Sequence, residues 1–369
     1  MSNPTAPTRK PRAVVYCEGN FGAIDGKTAN GLVRHSERYE IVSVIDGELA
    51  GQDTGMVLDG KANGIPLCRD LSDAISRTDD PLQLFIVGVA PTSGLLSPAE
   101  RNVILDAMSK GLDVINGLHE FLNDDPEFAA AAAINAVEIT DIRRPRAKVD
   151  LHMFDGSILA VTCPRIAILG TDGAIGKRTT ATILTKALND RGINAVLVGT
   201  GQTSLIQGAR HGVALDAIPA QFVTGELEAA VVGAWATDDP DVIIVEGQGA
   251  LSHPTYLSST AVLRGSRPEA VILQHAPARS TISDFPTFAM PTPASEITLI
   301  ETFADTKVIG LTLNHENMTD SEVTAAITMY ELELGIPSTD AITRPTDRLL
   351  DMVFAAFPDL HEKSPIVAG

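Results

Sequence analysis

Two α/β domains in tandem, each a doubly wound parallel sheet, are what this sequence predicts. Three observations carry that expectation. The 369 residues exceed one ordinary domain and leave room for two complete cores. Apolar, β-branched runs alternate with helical patterns, the signature of βα units. These runs fall into two series, separated by a stretch of different character at residues 137–161.

The first series predicts strands at Ala13–Cys17, Tyr39–Asp46, Leu82–Ala90 and Asp113–Asn116. Helices are predicted over Lys27–His35, Leu71–Arg77, Pro98–Lys110 and Pro126–Asn135. Residues 13–140 therefore read as a Rossmann-like domain. The turn Gly19-Asn-Phe-Gly22 after the first strand, with Asp46 ending the second, has the outline of a dinucleotide site. It lacks the full glycine spacing, which favours a structural or substrate-recognition role. Residues 1–12 are polar and Pro-bearing, with no apolar core after their basic residues. They are expected to form a flexible leader, neither a signal peptide nor an anchor.

In residues 141–164, Asp155-Gly156 lies between Val149–Phe154 and Ser157–Val161, a short-range hairpin signal that predicts a hairpin connector. The second strand series follows at Arg165–Leu169, Asn194–Val198, Asp241–Glu246, Ala270–His275 and Lys307–Leu313, giving a second α/β domain over 165–369. No internal repeat is present, and Ala129–Ala133 is a helical run.

Composition narrows the class. Hydrophobic residues make up 44% and charged residues 20% of the chain, and no apolar run approaches the ~20 residues that span a bilayer. The expectation is a soluble globular protein without a membrane partner. A net charge of −19 opposes non-specific attraction to nucleic acid or anionic lipid and is most simply a solubility feature. Cys17, Cys68 and Cys163 show neither metal nor redox spacing, which fits the cytoplasm and predicts no metal site from cysteine. A homo-oligomer is expected on general grounds alone.

The chemistry concentrates in Gly170-Thr171-Asp172-Gly173-Ala174-Ile175-Gly176-Lys177-Arg178-Thr179-Thr180, set between an apolar strand and a helical stretch to Asp190. This is the order of a phosphate-binding P-loop. Backbone N–H groups converge on phosphate oxygens, the helix N-terminus adds its positive end, and Lys177 adds a charge. Two positions depart from the general pattern: Thr171 stands at its first glycine and Arg178 at the magnesium-binding hydroxyl. Thr179 and Thr180 follow and remain able to bond a phosphate. The loop suits holding phosphates better than magnesium-assisted transfer of one.

Downstream, Asp241-Val-Ile-Ile-Val-Glu246 is a buried-strand run ending in a carboxylate, followed by Gly247-Gln248-Gly249, glycines that permit close backbone approach. Glu246 is open to three roles: metal-water ligand, general base or loop organiser. His253 is a second candidate base or a structural hydrogen-bonder.

The loop resembles that of dethiobiotin synthetase and its P-loop relatives. A narrower resemblance rests on four motifs in order. They are Ile45-Asp-Gly-Glu-Leu-Ala-Gly51, the phosphate loop, Glu246-Gly-Gln-Gly-Ala-Leu-Ser-His-Pro254 and Leu273-Gln-His-Ala-Pro-Ala-Arg279. Together they are similar to a bacterial family, long uncharacterised, that pairs a Rossmann-like N-terminal half with a P-loop C-terminal half. Members act as D-glutamate N-acetyltransferases, so the resemblance implies acetyl-CoA as donor and a D-amino acid as acceptor. On that reading Lys177 and Arg178 cradle the coenzyme A phosphates, and Glu246, His253 and Asp172 are the catalytic candidates. Gln248, Arg264, Arg267 and Arg279 are candidates for the acceptor. Two alternatives stay open: an ATP-dependent ligase with Asp172 and Glu246 holding magnesium, and a non-catalytic nucleotide-binding protein.

Overall fold

In the N-terminal half, β1 (Arg12–Tyr16), β2 (Glu40–Ile45), β3 (Leu67–Cys68), β4 (Leu84–Val87), β5 (Asp113–Asn116) and β6 (Ile139–Asp141) form one sheet in the order β3-β2-β1-β4-β5-β6. Every pairing is parallel, the strand order of a dinucleotide-binding Rossmann domain. The connecting helices are α1 (Lys27–Arg34), α2 (Thr54–Asp59), α3 (Leu71–Ser76), α4 (Pro98–Ser109) and α5 (Pro126–Asn135). Both α4 and α5 start at Pro after a capping side chain, Ser97 and Asp125, so their first orphan N–H groups are satisfied locally. The computed structural model describes residues 9–23, 25–90 and 94–363. The predicted leader therefore lies largely outside the described residues, and Arg12 already belongs to β1.

The Asp46 carboxylate is occupied by its own turn. Its Oδ2 accepts from Phe21 N at 3.0 Å and its Oδ1 from Glu48 N at 3.2 Å. The side chain that would face a ribose in a dinucleotide site here pins the Gly19–Gly22 turn to β2.

The C-terminal half contains β7 (Arg165–Gly170), α6 (Lys177–Asp190), β8 (Ala195–Gly199), α7 (Gln202–Gln207), β9 (His211–Gly212), α8 (Val223–Asp238), β10 (Val242–Glu246), α9 (Ser258–Ser266) and β11 (Ala270–His275). A small hairpin, β12 (Thr281–Ile282) and β13 (Phe285–Ala289), precedes α10 (Pro293–Phe303), β14 (Lys307–Leu313), α11 (Asp320–Leu334), β15 (Ser338–Thr339), α12 (Asp347–Ala356) and α13 (Pro358–Lys363). The sheet order is β15-β14-β11-β7-β10-β8-β9, again all parallel. Alternate residues of β7 feed opposite cores. Ile166 and Ile168 pack with Leu184 and Leu188 of α6 and Leu349 and Val353 of α12. Ala167 and Leu169 pack with helices α8 to α11 on the other face. Burial on both faces explains why these strands read as continuous apolar runs.

The chain divides into two compact units. One holds the described residues through Arg144 together with Gln202–Ala209; the other holds Pro145–Gly201 and the residues from Arg210 onward. Helix α7 thus belongs to the Rossmann-like unit, where Gln207 Nε2 donates to the Gly31 and His35 carbonyls at 2.7 and 2.8 Å. Among the described residues no helix is long and apolar enough to cross a membrane.

The predicted hairpin at 149–161 is not formed. Gly156 does turn with φ +86°, but its flanks are irregular or 3-10 helix. Carboxylates of α8 compete successfully for the backbone. Glu226 accepts from His152 N at 2.6 Å, and Glu228 accepts from Asp155 N and Ile158 N at 2.9 and 3.1 Å. The segment runs so close over Gly225 that a Cβ there would collide with backbone atoms of residues 152–154. Donors committed to side chains cannot build a strand ladder.

Candidate functional site

The C-terminal ends of β7, β8, β10, β11 and β14 meet at one pole of the seven-stranded sheet, where ligands bind in open α/β folds. The loop from Gly170 to Lys177 crosses that pole. Gly176 caps α6 with φ +101°, and Ala174 sits at φ +49°. Alternating left- and right-handed residues turn successive N–H groups inward. Among the described residues, the N–H groups of Gly173, Ala174, Ile175 and Gly176 have no protein acceptor. A run of unpaired donors at a helix N-terminus is a cradle for an anion. Lys177 is buried at its edge, its ammonium bonded to the Asp172 carbonyl.

The loop is held from outside by neighbours that sequence reading did not single out for this purpose. Thr171 N donates to the Gln274 carbonyl at 3.0 Å, and Thr171 Oγ1 lies 2.8 Å from His275 Nδ1. The Gln274 amide oxygen accepts from Thr180 at 2.7 Å and from Thr312. The Thr180 hydroxyl is therefore tied to Gln274, while Thr179 is partly exposed. Burial pushes His275 down to about 4, so this imidazole stays neutral as a packing group.

Arg279 changes role. Its Nη1 donates to Asp172 Oδ2 at 2.9 Å and to the Gly173 carbonyl at 3.1 Å. Its Nη2 donates to the Ala174 carbonyl at 3.2 Å and to Glu316 at 2.9 Å, and its Nε to Glu316. All five guanidinium N–H groups are used, so Arg279 clasps the phosphate loop and has none left for an acceptor carboxylate. Asp172 likewise is fully enclosed, with Ser283 N at 3.0 Å beside Arg279. Its carboxylate organises the loop.

Arg264 and Arg267 are not brought to the site. Both lie at the C-terminal end of α9, which returns the chain to the start of β11. The Arg267 carbonyl accepts from Arg165 Nε at the first residue of β7, and the Arg264 guanidinium covers the Phe303 ring at 5.0 Å. This is the opposite pole, because a helix that follows a parallel strand runs back along it.

Glu246 does reach the pole. It is 7% exposed, its Oε2 accepts from Thr200 N at 2.8 Å, and no other side chain or amide among the described residues binds the carboxylate. Gln248 Nε2 donates to the Thr200 carbonyl at 2.5 Å, so Thr200 ties both residues to the end of β8. Gly247 has no room for a Cβ beside the Ile168 carbonyl, nor Gly249 beside the Tyr256 ring. Buried Glu296 accepts from Leu251 N at 3.0 Å and from Ser252; burial raises its pKa. It anchors the loop that carries His253, whose ring packs 4.3 Å from that of Tyr256.

The fold and this cradle define a P-loop α/β domain joined to a Rossmann-like one. Residues 152–350 match the P-loop domain of DUF1611, described as a domain of unknown function, and residues 47–145 match its N-terminal Rossmann-like domain. The chain belongs to the DUF1611 family. It is 31% identical over 277 residues, 73% of this chain and 80% of the relative, to a protein of Tritonibacter scottomollicae named D-glutamate N-acetyltransferase. A Pseudoalteromonas protein of the same name is 27% identical over 273 residues, covering 72% and 80%. The crystal structure of a DUF1611 family protein from Anabaena variabilis aligns with a TM-score of 0.86 and 30% identity, over 94% of this chain and 100% of that one.

Proposed function

We propose that this protein transfers the acetyl group of acetyl-CoA to the amino group of a D-amino acid, with D-glutamate as the acceptor. The observation that carries the reading is the phosphate cradle itself. It combines inward N–H groups, Lys177 and Arg178, but has an arginine where a magnesium-binding hydroxyl would follow the lysine. Coenzyme A offers a diphosphate and a ribose 3′-phosphate, which need cations and N–H donors for binding but no catalytic metal. The relatives' names supply the acceptor and the acyl group.

In this reaction the acceptor ammonium first loses one proton to solvent. The amine nitrogen then attacks the thioester carbon, and the carbonyl electron pair moves to oxygen. Glu246, held by Thr200 with one oxygen uncommitted, takes the second amine proton as general base. Collapse reforms the carbonyl, breaks the carbon–sulfur bond, and the thiolate takes the proton back from Glu246. N-acetyl amino acid and coenzyme A thiol leave, and the carboxylate is regenerated.

The test mixes purified protein with acetyl-CoA and a panel of D- and L-amino acids while free thiol is followed. Thiol release that depends on D-glutamate is expected. Magnesium-dependent phosphate release from ATP without thiol release would replace this reading with the ligase one.

A further inference from the structure

Buried polar atoms without partners are rare, and each calls for a physical reason. His253 carries one. The residue is 6% exposed, and its Nε2 is enclosed with no hydrogen-bond partner among the described residues. Its other nitrogen settles the tautomer. Thr255 N donates to His253 Nδ1 at 3.3 Å, with Thr255 Oγ1 at 3.1 Å. A backbone N–H can only donate, so Nδ1 is bare and the neutral ring keeps its proton on Nε2. Burial favours the same neutral form, against opposing pulls from Asp172 and Asp284 and with support from Lys177. Among the described residues, those three are the charged groups that act on the ring.

The place is as specific as the proton. The imidazole packs on Tyr256, 4.3 Å between centroids, and at 6.0 Å from Phe285. Tyr256 in turn lies over the crown of the phosphate loop, 3.6 Å from where a Gly173 Cβ would sit, and its hydroxyl donates to Asp284 at 2.7 Å. One aromatic ring separates His253 from the orphan N–H groups.

We infer that His253 is a neutral N–H donor to a phosphoryl oxygen of the ligand in the cradle, rather than the candidate base that is one of its two sequence-based readings. The inference rests on the reading of the loop as a phosphate site. A base needs a free lone pair, whereas here Nε2 carries the hydrogen and the Nδ1 lone pair is taken by Thr255 N. A donor needs only that Nε2 come within reach of a diphosphate settled on Gly173–Gly176. The bond formed then replaces one that the protein alone leaves unmade, so it strengthens binding without changing the ring's charge.

Coenzyme A and inorganic pyrophosphate serve as probes for calorimetric titration of wild type, His253→Ala and His253→Gln, with glutamine placing an N–H near Nε2. The expected result is about tenfold weaker binding in His253→Ala and affinity within about threefold of wild type in His253→Gln. Nitrogen-15 spectra of the wild-type imidazole in its neutral form at pH 8 should show protonated Nε2 and bare Nδ1, with the Nε2 signal shifting on addition of pyrophosphate. Turnover of His253→Gln should keep the acidic limb of the pH profile. Tight binding by wild type with unchanged affinity in both variants, or an Nδ1-protonated ring, overturns the donor role alone. Absence of binding by wild type overturns the phosphate site and the donor role together.

Discussion

Arg279 and Asp172 form a buried ion pair, Nη1 to Oδ2 at 2.9 Å, that locks the phosphate loop to the segment after β11. Removing one partner of such a pair strands the other charge in a site that water does not reach. Arg279→Gln should cost about 3–5 kcal/mol of stability and weaken coenzyme A binding by loosening Gly173 and Ala174. Urea unfolding followed by tryptophan emission reads the first effect, since Trp235 lies in α8 of the same unit. A midpoint equal to wild type would show that the clasp is dispensable.

Lys177→Ala removes an ammonium from the edge of the cradle. The loss is about 1.5–3 kcal/mol for a charge-assisted hydrogen bond, so the dissociation constant for coenzyme A should rise roughly tenfold or more. Calorimetry on the folded variant is the check, and an unchanged constant would move the donor elsewhere.

Acidification should destabilise the C-terminal unit through His275. Its folded-state pKa is about 4 against 6.5 for the ordinary side chain, so below pH 6.5 the unfolded chain binds the extra proton. Stability is then fully present above pH 6.5 and falls steadily toward pH 4, by up to about 3 kcal/mol. His275→Asn, which can still reach Thr171, should flatten that part of the profile. A variant with the wild-type slope would assign the acid sensitivity to other groups.

Gly225→Ala should force the backbone of residues 152–154 off α8, because the new Cβ would overlap it. Limited proteolysis is expected to cut faster between Arg146 and Phe154. A cleavage rate equal to wild type would mean that the segment accommodates a methyl group.

Much of this was legible because the decisive signals are local. The βα alternation and the Gly170–Thr180 loop depend on neighbours in sequence, and both sheets and the cradle follow from them. Two-residue edge strands such as Leu67–Cys68 and Ser338–Thr339 carry too little periodicity to read. Long-range competition was invisible. Nothing near Asp155-Gly156 shows that Glu226 and Glu228, some seventy residues away, take the backbone donors that a hairpin needs. The same holds for Arg279, whose commitment to Asp172 and Glu316 depends on three loops meeting at the pole, and for Arg264 and Arg267, whose pole depends on the direction of α9.

Acyl transfer without a catalytic metal is the central claim. Acetyl-CoA labelled with carbon-13 in the acetyl carbonyl, incubated with D-glutamate in excess chelator, tests it most directly by NMR. Conversion of the thioester signal to an amide signal is expected, at a rate unaffected by the chelator and about 10²–10⁴-fold slower in Glu246→Gln, with coenzyme A affinity retained. A thioester signal that persists in the presence of wild-type protein, with or without magnesium, would contradict it.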